Sequence, residues 1–374
     1  MSALTFNRAA AGRSRPAGYP PRGRARPPAA FRGGRQLAGD ARKQHRACLR
    51  RAVPVERLVG AEEEEEEEAR EDFSQGGWLW TNDAAARTKA KLRSQKVKPK
   101  KSLGQNFVTD DDVLRRVVRA ANIQPGDEVL EIGPGTGNLT RHLLAAGATI
   151  TAVEKDDRLV DHLQEEFKQS SGFRLIHGDI LRCDIDEVLA RARGGAEGSK
   201  LKVVANLPYY ITTDVLKMLL PRGNSFSNFT VMLQEEVAQR FAVHQPGDRD
   251  YRYMSVFCHY YSKPEYKFRI SRHSYFPAPK VDGAVVDFIL TPPSERALEV
   301  SEERKFLSLV HASFQHRRKM MKNSLPMAAD LAGEALSVAG LSSSSRAQDL
   351  TVDDFLRVYE TLKSVKLDPA AEEP

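Results

Sequence analysis

A glycine-rich run is the first feature of this sequence that can do chemistry. Gly133, Gly135 and Gly137 let the backbone turn tightly and approach a ligand closely. The dinucleotide fingerprint G-x-G-x-x-G requires a third glycine at position 138, where this chain has Asn138. The spacing therefore predicts a nucleoside ligand without a pyrophosphate, and it disfavours an NAD-dependent oxidoreductase.

Two acidic residues follow at positions that suit the rest of such a ligand. Glu154 comes 21 residues after Gly133 and ends a β-rich segment, so its carboxylate can accept both hydroxyls of a ribose. Asp179 ends the next β-rich segment, where it can accept from an adenine amino group. A single such acid is more often a surface carboxylate or a helix cap. The three features in order predict an adenosine-like ligand, and S-adenosylmethionine fits without a phosphate site.

The run Asn206-Leu207-Pro208-Tyr209 suits the amine that would receive a group from this ligand. An exocyclic adenine amine is a poor nucleophile because its lone pair is delocalised into the ring. The Asn206 side-chain oxygen and the Leu207 carbonyl can accept its two hydrogens, which favours a pyramidal amine facing a sulfonium methyl. Pro208 fixes the backbone, and Tyr209 can stack on the purine, which contributes roughly 1–3 kcal/mol per base. The alternative is a strand that ends in a proline turn with Tyr209 in the core.

Alternating strands and helices must position these residues. Such alternation is typical of βαβ units, so the predicted fold class is α/β with a mainly parallel sheet. Ligands of such sheets bind at the carboxyl ends of the strands, where the residues above are expected. The predicted strands are Glu128–Ile132, Thr149–Val153, Arg174–Ile176, Lys202–Ala205, Phe229–Leu233 and Ala284–Leu290, and the helices between them include Leu139–Ala146, Arg158–Phe167 and Thr213–Leu220.

After about residue 291 the pattern becomes helical, which predicts a small second domain over residues 291–374. Its predicted helices are Glu302–Phe314, Asp330–Val338 and Val352–Ser364. A basic cluster follows the first of them within about two helical turns, where Arg317 with Met321, or Arg318 with Lys322, should share a helix face by i, i+4 spacing. The cluster can bind phosphates and so position an RNA without selecting its sequence. The alternative is that it is a solvated helix face. Its members are Arg317, Arg318, Lys319 and Lys322.

The positive charge of the chain is confined to its N-terminal part. The formal net charge is +7, but residues 1–60 hold 14 Lys/Arg against 2 Asp/Glu, and residues 100–374 hold 36 against 38. The high pI is therefore no evidence that the folded part binds nucleic acid. Three cysteines without metal-ligand spacing exclude zinc and disulfide frameworks as organising principles. No apolar run approaches the ~18 residues of a membrane span.

The composition of the N-terminal residues predicts a targeting peptide followed by a linker. Residues 1–60 are rich in Arg and poor in acids, which is typical of an organellar transit peptide, and their Pro and Gly favour a plastid over a mitochondrion. The alternative is a disordered basic tail that stays on the protein and contacts RNA. Residues 61–99 predict a linker that is first acidic, through the seven glutamates Glu62–Glu68, and then basic. The main folded domain is expected over residues 100–290.

Several motifs occur together in this chain: Gln105-Asn106-Phe107, Glu131–Gly137, Asn206–Tyr209, Pro277–Asp282 and the basic stretch Phe314–Asn323. Together they resemble the KsgA-type ribosomal RNA adenine N6,N6-dimethyltransferases over roughly residues 100–360. The resemblance implies a class I (Rossmann-like) methyltransferase fold with S-adenosylmethionine as donor. It also implies dimethylation at N6 of two adjacent adenines near the 3′ end of small-subunit rRNA.

The resemblance also implies roles for individual residues. Val108 stands where the family usually has Leu, and a backbone contact survives that change. Tyr275 stands where the family usually has Phe as the second stacking aromatic, with Phe276 beside it as the other ring that could face the adenine. The implied cofactor contacts are Asn106, Val108, Gly133, Glu154, Asp179 and Asn206, with Gly135 in the same glycine run.

The nearly neutral folded part predicts that the RNA is recognised within a preassembled ribosomal particle. The protein is expected to act as a monomer, without metal or membrane, in the plastid stroma or alternatively in the mitochondrion. Two other functions stay open. One is a ribosome-assembly or mitochondrial transcription factor that keeps the fold without required catalysis, and the other is a dimethylase of a large-subunit rRNA adenine.

Overall fold

The computed structural model describes residues 84–94, 99–100, 103–193, 200–325 and 328–366. The predicted transit peptide and the acidic run Glu62–Glu68 lie outside these residues. The described part is an α/β fold built around a seven-stranded, mostly parallel sheet, which confirms the predicted fold class.

The sheet has the strand order β4-β3-β2-β5-β6-β9-β7. Strands β2 to β6 run parallel, and β9 is antiparallel to both β6 and β7. The two short strands β1 and β8 form a separate antiparallel pair. The bounds are β1 Phe107–Val108, β2 Glu128–Ile132, β3 Thr149–Glu154, β4 Phe173–His177, β5 Leu201–Asn206, β6 Phe226–Gln234, β7 Ser262–Ile270, β8 Tyr275–Phe276 and β9 Gly283–Leu290.

The central strands bring the predicted site residues to one edge of the sheet. Strands β2, β3 and β5 are short apolar runs buried on both faces, as parallel strands covered by helices must be. Their register places Ile132 beside both Val153 and Ala205. The residues that follow these positions, among them Gly133, Glu154 and Asn206, therefore meet at the same edge.

The helices cover both faces of the sheet and continue beyond it. The second helix begins with Asp110, whose side chain accepts from the backbone N–H groups of Asp112 and Val113. The bounds are α1 Ala84–Ser94, α2 Asp111–Ala120, α3 Asn138–Ala145, α4 Asp157–Phe167, α5 Ile185–Ala192, α6 Thr212–Leu219, α7 Glu235–Ala242, α8 Tyr253–Tyr261, α9 Val300–Gln315, α10 Ala329–Val338 and α11 Val352–Lys366. No helix among the described residues is long and apolar enough to cross a membrane.

The C-terminal helices share a hydrophobic core with the sheet. Phe306 of α9 and Phe355 of α11 belong to the same buried cluster as Phe229 and Phe288 of the sheet. Arg296, just before α9, pairs with buried Glu303 at 3.1 Å and donates to the Pro221 carbonyl at 2.6 Å. The predicted boundary at residues 290/291 therefore falls inside a continuous core.

Part of the predicted linker is folded. Within residues 61–99, Ala84–Ser94 forms helix α1, in which Ala84, Thr88 and Leu92 are buried against the rest of the protein. The prediction of a linker is wrong for this segment. Its basic residues also have internal contacts: Arg87 pairs with Asp111, and the Lys89 ammonium lies 5.7 Å from the centre of the Phe276 ring.

The basic cluster of residues 317–322 does not lie on a helix. Helix α9 ends at Gln315, and residues 316–319 form a turn closed by the Lys319 N–H and the His316 carbonyl. Met320 then pairs with Arg346 in an isolated bridge, and Met321 is fully buried. The predicted i, i+4 sharing of a helix face is wrong, because the helix ends before the cluster begins and residues 321–323 form a separate 3₁₀ turn.

Candidate active site

One pocket at the carboxyl ends of β2, β3 and β5 contains every residue predicted for cofactor binding and catalysis. These residues come from the β1 segment, the glycine loop, the ends of three parallel strands and β8. They are Asn106, Val108, Gly133, Gly135, Glu154, Asp179, Asn206, Leu207, Pro208, Tyr209 and Tyr275.

The glycine loop after β2 leaves space for a ligand. Gly133 has φ +70°, and a Cβ placed on it would meet no atom within 4 Å, so the backbone here faces open space. Gly135 has φ +61°, and a Cβ there would lie 2.9 Å from the Phe107 ring. The first glycine therefore allows a ligand to approach, whereas the second allows the β1 segment to pack against the loop.

Glu154 is a buried carboxylate at the end of β3. One of its oxygens accepts from the Gly135 N–H at 3.0 Å, and the other accepts from the N–H groups of Lys155 and Asp156 at 2.8 Å each. Burial raises the pKa of Glu154, and these three backbone hydrogen bonds act against that rise. The carboxylate is thereby fixed beside the glycine loop, and the oxygen that accepts only from Gly135 keeps a lone pair with which it can accept from a hydroxyl.

Asp179 lies beyond β4, half-buried, at the same side of the pocket. It accepts from the Lys155 ammonium at 2.8 Å and from the Leu181 N–H at 3.2 Å. Partial burial on its own would raise the pKa of Asp179, but the contact with Lys155, the hydrogen bond from Leu181 and the charge of Arg182 together outweigh it, so the pKa lies below its ordinary value. The side chain is therefore an ionised acceptor close to Glu154.

The amide of Asn206 is oriented by a hydrogen bond. Its nitrogen donates to the Asn106 carbonyl at 2.9 Å, and the Asn106 side chain in turn donates to the Gly104 carbonyl at 3.1 Å. The Asn206 side-chain oxygen is therefore left as the acceptor of that amide. Leu207 follows directly and lines the same stretch of pocket wall.

The structure distinguishes between the two aromatic residues of β8. Tyr275 lines the pocket, whereas Phe276 packs with Leu92, Phe107 and Leu159 on the other side. The Tyr275 side chain is buried, and its hydroxyl occupies the place where a Cβ of Gly283 would be. Tyr209 is half-buried, and burial raises its pKa.

Several further pocket residues were given no role in the sequence analysis, among them Glu131, Asn138, Lys155 and Tyr210. Glu131 is fully buried and accepts from the Thr140 hydroxyl at 2.7 Å. Burial, together with the nearby charge of Glu154, raises the pKa of Glu131 to about 8. Tyr210 is 56% exposed at the pocket rim. Lys155 and Asn138 also line the pocket. The only signal for them was adjacency to predicted residues.

The basic cluster lies outside this pocket. The Arg317 guanidinium donates to the Arg249 carbonyl. Arg318 and Lys319 are exposed, and Lys322 is half-buried. The cluster therefore offers two freely exposed cations. Within the described ranges there is no group of three or more His, Cys, Asp or Glu side chains that could hold a metal ion.

The site residues fit an adenosine cofactor that carries a sulfonium. The open backbone at Gly133, the buried carboxylate of Glu154 and the acceptor at Asp179 suit a nucleoside, and the surrounding acidic groups suit a cation. Fold and site together define a class I methyltransferase. The same fold occurs in the 23S rRNA methyltransferase ErmE, with a TM-score of 0.53, 24% identity and coverage of 69% of this chain and 99% of that one. It also occurs in a dimethyladenosine transferase from Plasmodium falciparum, with a TM-score of 0.56, 22% identity and coverage of 68% and 96%.

Residues 96–364 match the family model described as ribosomal RNA adenine dimethylase. The chain is 40% identical over 271 residues to "Ribosomal RNA small subunit methyltransferase, chloroplastic" of Arabidopsis thaliana, covering 71% of this chain and 79% of the relative. It is also 40% identical over 269 residues to "Ribosomal RNA small subunit methyltransferase A" of Protochlamydia amoebophila, covering 71% and 92%. The chain therefore belongs to the ribosomal RNA adenine dimethylase family. It is an S-adenosylmethionine-dependent rRNA adenine dimethyltransferase, which confirms the family resemblance, the enzyme class and the cofactor.

Proposed function

We propose that this enzyme dimethylates N6 of two adjacent adenines near the 3′ end of small-subunit rRNA during ribosome biogenesis. The observation that carries the proposal is the orientation of Asn206. Its amide nitrogen is held by the Asn106 carbonyl, so its oxygen is an acceptor in the same pocket as Glu154 and Asp179. The names of the chloroplast and bacterial relatives support the small subunit as the source of the RNA.

Bound S-adenosylmethionine supplies an electrophilic methyl group to this pocket. On the protein side, Glu154 would accept from a ribose hydroxyl, Asp179 would accept from the cofactor's adenine amine, and the loop at Gly133 would allow close approach. Asn106 and Val108 form the facing wall, where the Val108 carbonyl is itself held by the Asn138 amide at 2.9 Å.

The acceptor adenine is held by a separate set of groups. The Asn206 oxygen and the Leu207 carbonyl accept the two amine hydrogens, and Pro208 keeps these acceptors in place. Tyr209 and Tyr275 contact the extruded base, which offsets the few kcal/mol that extrusion costs. No strong base is required, because the amine proton becomes acidic once its nitrogen is methylated.

The RNA outside the pocket is held by charge. Arg317, Arg318, Lys319 and Lys322 contact phosphates, with Arg318 and Lys319 the most exposed of the four. Because the folded part is nearly neutral overall, these contacts suit a preassembled small-subunit particle better than a free hairpin. The enzyme acts on that particle as a monomer.

The proposed location is the plastid stroma. The Arg-rich N-terminal composition and the chloroplast relative support it, with the mitochondrion as the alternative. A fluorescent fusion of residues 1–83 tests this point: accumulation in plastids supports the stroma, and accumulation in mitochondria overturns it.

Mass spectrometry of organellar rRNA tests the reaction. Cells lacking the protein should lose dimethyladenosine at two adjacent positions of small-subunit rRNA, and wild-type protein should restore it. An Asn206→Ala variant should fail to restore it. Loss of the modification from large-subunit rRNA instead, or full rescue of ribosome assembly without methylation, would contradict the proposal.

A further inference from the structure

Helix α1 lies outside the family match, which begins at residue 96, yet it contacts the residues that build the pocket. We propose that α1 is a positioning element of the cofactor site. It fixes Asn138 through Thr88, and Asn138 holds residues 103–108 beside the glycine loop. These residues form one wall of the pocket, the β1 wall. Cofactor affinity therefore depends on α1, although α1 itself does not line the pocket.

The hydrogen bonds of Asn138 join three parts of the site. Asn138 is the first residue of α3, directly after the last glycine of the loop, and is only 4% exposed. Its side-chain nitrogen donates to the Thr88 hydroxyl at 2.8 Å and to the Val108 carbonyl at 2.9 Å. Both N–H groups of the amide are thus used, one on α1 and one on β1. Without the Thr88 acceptor, a buried N–H loses its partner and the amide is no longer fixed.

A second anchor holds α1 at its first turn. Asp111, buried at the start of α2, accepts from the Ala84 N–H at 3.1 Å and from the Arg87 guanidinium at 3.0 Å. The same carboxylate contacts the His142 ring of α3 at 2.9 Å. One carboxylate therefore joins α1, α2 and α3, and it sets the position of Thr88 opposite Asn138.

The end of α1 contacts the outer side of the β1 wall. Leu92 packs with Phe107 and Leu159, and Phe107 is the ring that lies against Gly135 of the glycine loop. Lys89 lies over Phe276, the β8 partner of Phe107. Contacts therefore run from α1 through one aromatic side chain to the loop that receives the cofactor.

The β1 wall needs this outside support because it has little structure of its own. It supplies pocket residues from 103 to 108, but its only strand is two residues long and pairs with another two-residue strand. A wall that is already ordered binds ligand more tightly than one that must be ordered on binding. Loosening α1 should therefore weaken cofactor binding. Because the Asn106 carbonyl of the same wall orients Asn206, the adenine acceptors should regain their positions once bound cofactor has ordered the wall.

A pair of substitutions in the full chain tests the role of Thr88. Thr88→Val keeps the shape and removes the acceptor, whereas Thr88→Ser keeps the acceptor. We expect Thr88→Val to raise the Kd for S-adenosylhomocysteine and the KM for S-adenosylmethionine roughly fivefold to tenfold, as loss of one buried hydrogen bond does. The kcat at saturating cofactor and the KM for the small-subunit particle should stay within twofold. Thr88→Ser should stay within twofold of wild type in all four constants.

Leu92→Ala provides an independent measurement if Thr88→Val folds poorly. It should raise the same cofactor Kd and speed amide hydrogen exchange in residues 103–108, whereas Leu331→Ala on exposed α10 should do neither. An unchanged cofactor Kd in both Thr88→Val and Leu92→Ala overturns the proposal. A fall in Tm without a change in that Kd also overturns it, because α1 would then be only structural. Since S-adenosylhomocysteine binding requires no RNA, this outcome is separate from any failure of the proposed rRNA target.

Discussion

The pocket and the basic cluster use polar side chains in opposite ways. In the pocket, Glu154 accepts three backbone hydrogen bonds and Asn206 is held by a neighbouring carbonyl. In the cluster, Arg318 and Lys319 point to solvent from a turn. The pocket is therefore ordered before any ligand arrives, whereas the cluster has flexible charges that a phosphate backbone can order.

This difference sets the kind of function each region can support. Methyl transfer depends on geometry, because a misplacement of about 1 Å can cost about a hundredfold in rate. Phosphate contacts depend on charge and tolerate movement, and they add affinity without selecting sequence. Substitutions in the pocket should therefore change rates strongly, and substitutions in the cluster should change affinity weakly.

Asn206→Ala should give the largest effect. It removes one of the two acceptors of the adenine amine, and loss of a single preorganised group of this kind costs about 10²–10³ in kcat. Single-turnover methylation of small-subunit particles measures it, with Asn224→Ala on the exposed turn before β6 as the control. A single-turnover rate within threefold of wild type would show that Asn206 does not hold the amine.

Gly283→Ala should come next. The new methyl group would occupy the place of the Tyr275 hydroxyl, so the ring must move within the pocket. We expect methylation to slow by up to about a hundredfold. The double variant Gly283→Ala with Tyr275→Phe removes the closest of these contacts, leaves contacts of 3.2 Å with the ring and the Leu233 carbonyl, and should recover part of the rate. Failure of the double variant to exceed Gly283→Ala alone would mean that backbone strain, and not the ring, causes the loss.

Glu131→Gln should change the pH dependence of stability. Burial raises the folded-state pKa of Glu131 to about 8, whereas the unfolded value is near 4.5. The folded protein holds this proton more tightly, so its contribution to stability is full below pH 4.5 and is lost as the pH rises to 8. The free energy of unfolding of the variant minus that of wild type should therefore be higher at pH 8.5 than at pH 5, by about 1–3 kcal/mol. Urea unfolding at both values measures this, and an equal difference at the two pH values would contradict it.

Arg318→Ala combined with Lys319→Ala should have the smallest effect. We expect particle affinity to fall several-fold and the salt dependence of binding to decrease by about one unit for each lost phosphate contact. The Kd for S-adenosylhomocysteine should not change. Arg304→Ala combined with Lys305→Ala removes the same charge from exposed positions near the start of α9 and serves as the control. An equal loss in both pairs would mean that net charge alone is responsible.

The pocket could be located from the sequence because the sheet topology brings most of the predicted residues together. Gly133, Glu154, Asp179 and Asn206 each lie at or just beyond the end of a strand, and parallel strands bring their carboxyl ends together. Asn106, Val108 and Tyr275 were predicted from the family resemblance alone. The orientation of those side chains could not be predicted from the sequence. The hydrogen bond from Asn206 to Asn106 joins residues 100 positions apart.

The elements that were missed had misleading local signals. Strand β7, Ser262–Ile270, lies at the edge of the sheet and carries Pro264 and several charges, so it lacks an apolar run. Helix α8, Tyr253–Tyr261, is rich in aromatic residues that favour strands. Helix α1 had a usable signal in its Ala, Lys and Arg content, but the surrounding charge run favoured a linker.

The position of α1 also limits how the protein can mature. If an import signal is removed after entry into the plastid, the peptidase must cut before Ala84, because a cut at the start of the family match would discard Thr88 and Leu92. Such a shortened product would keep every residue of the pocket but would lack the helix that supports residues 103–108. The N-terminus of the protein isolated from its cells, read by peptide sequencing, should therefore fall no later than residue 84.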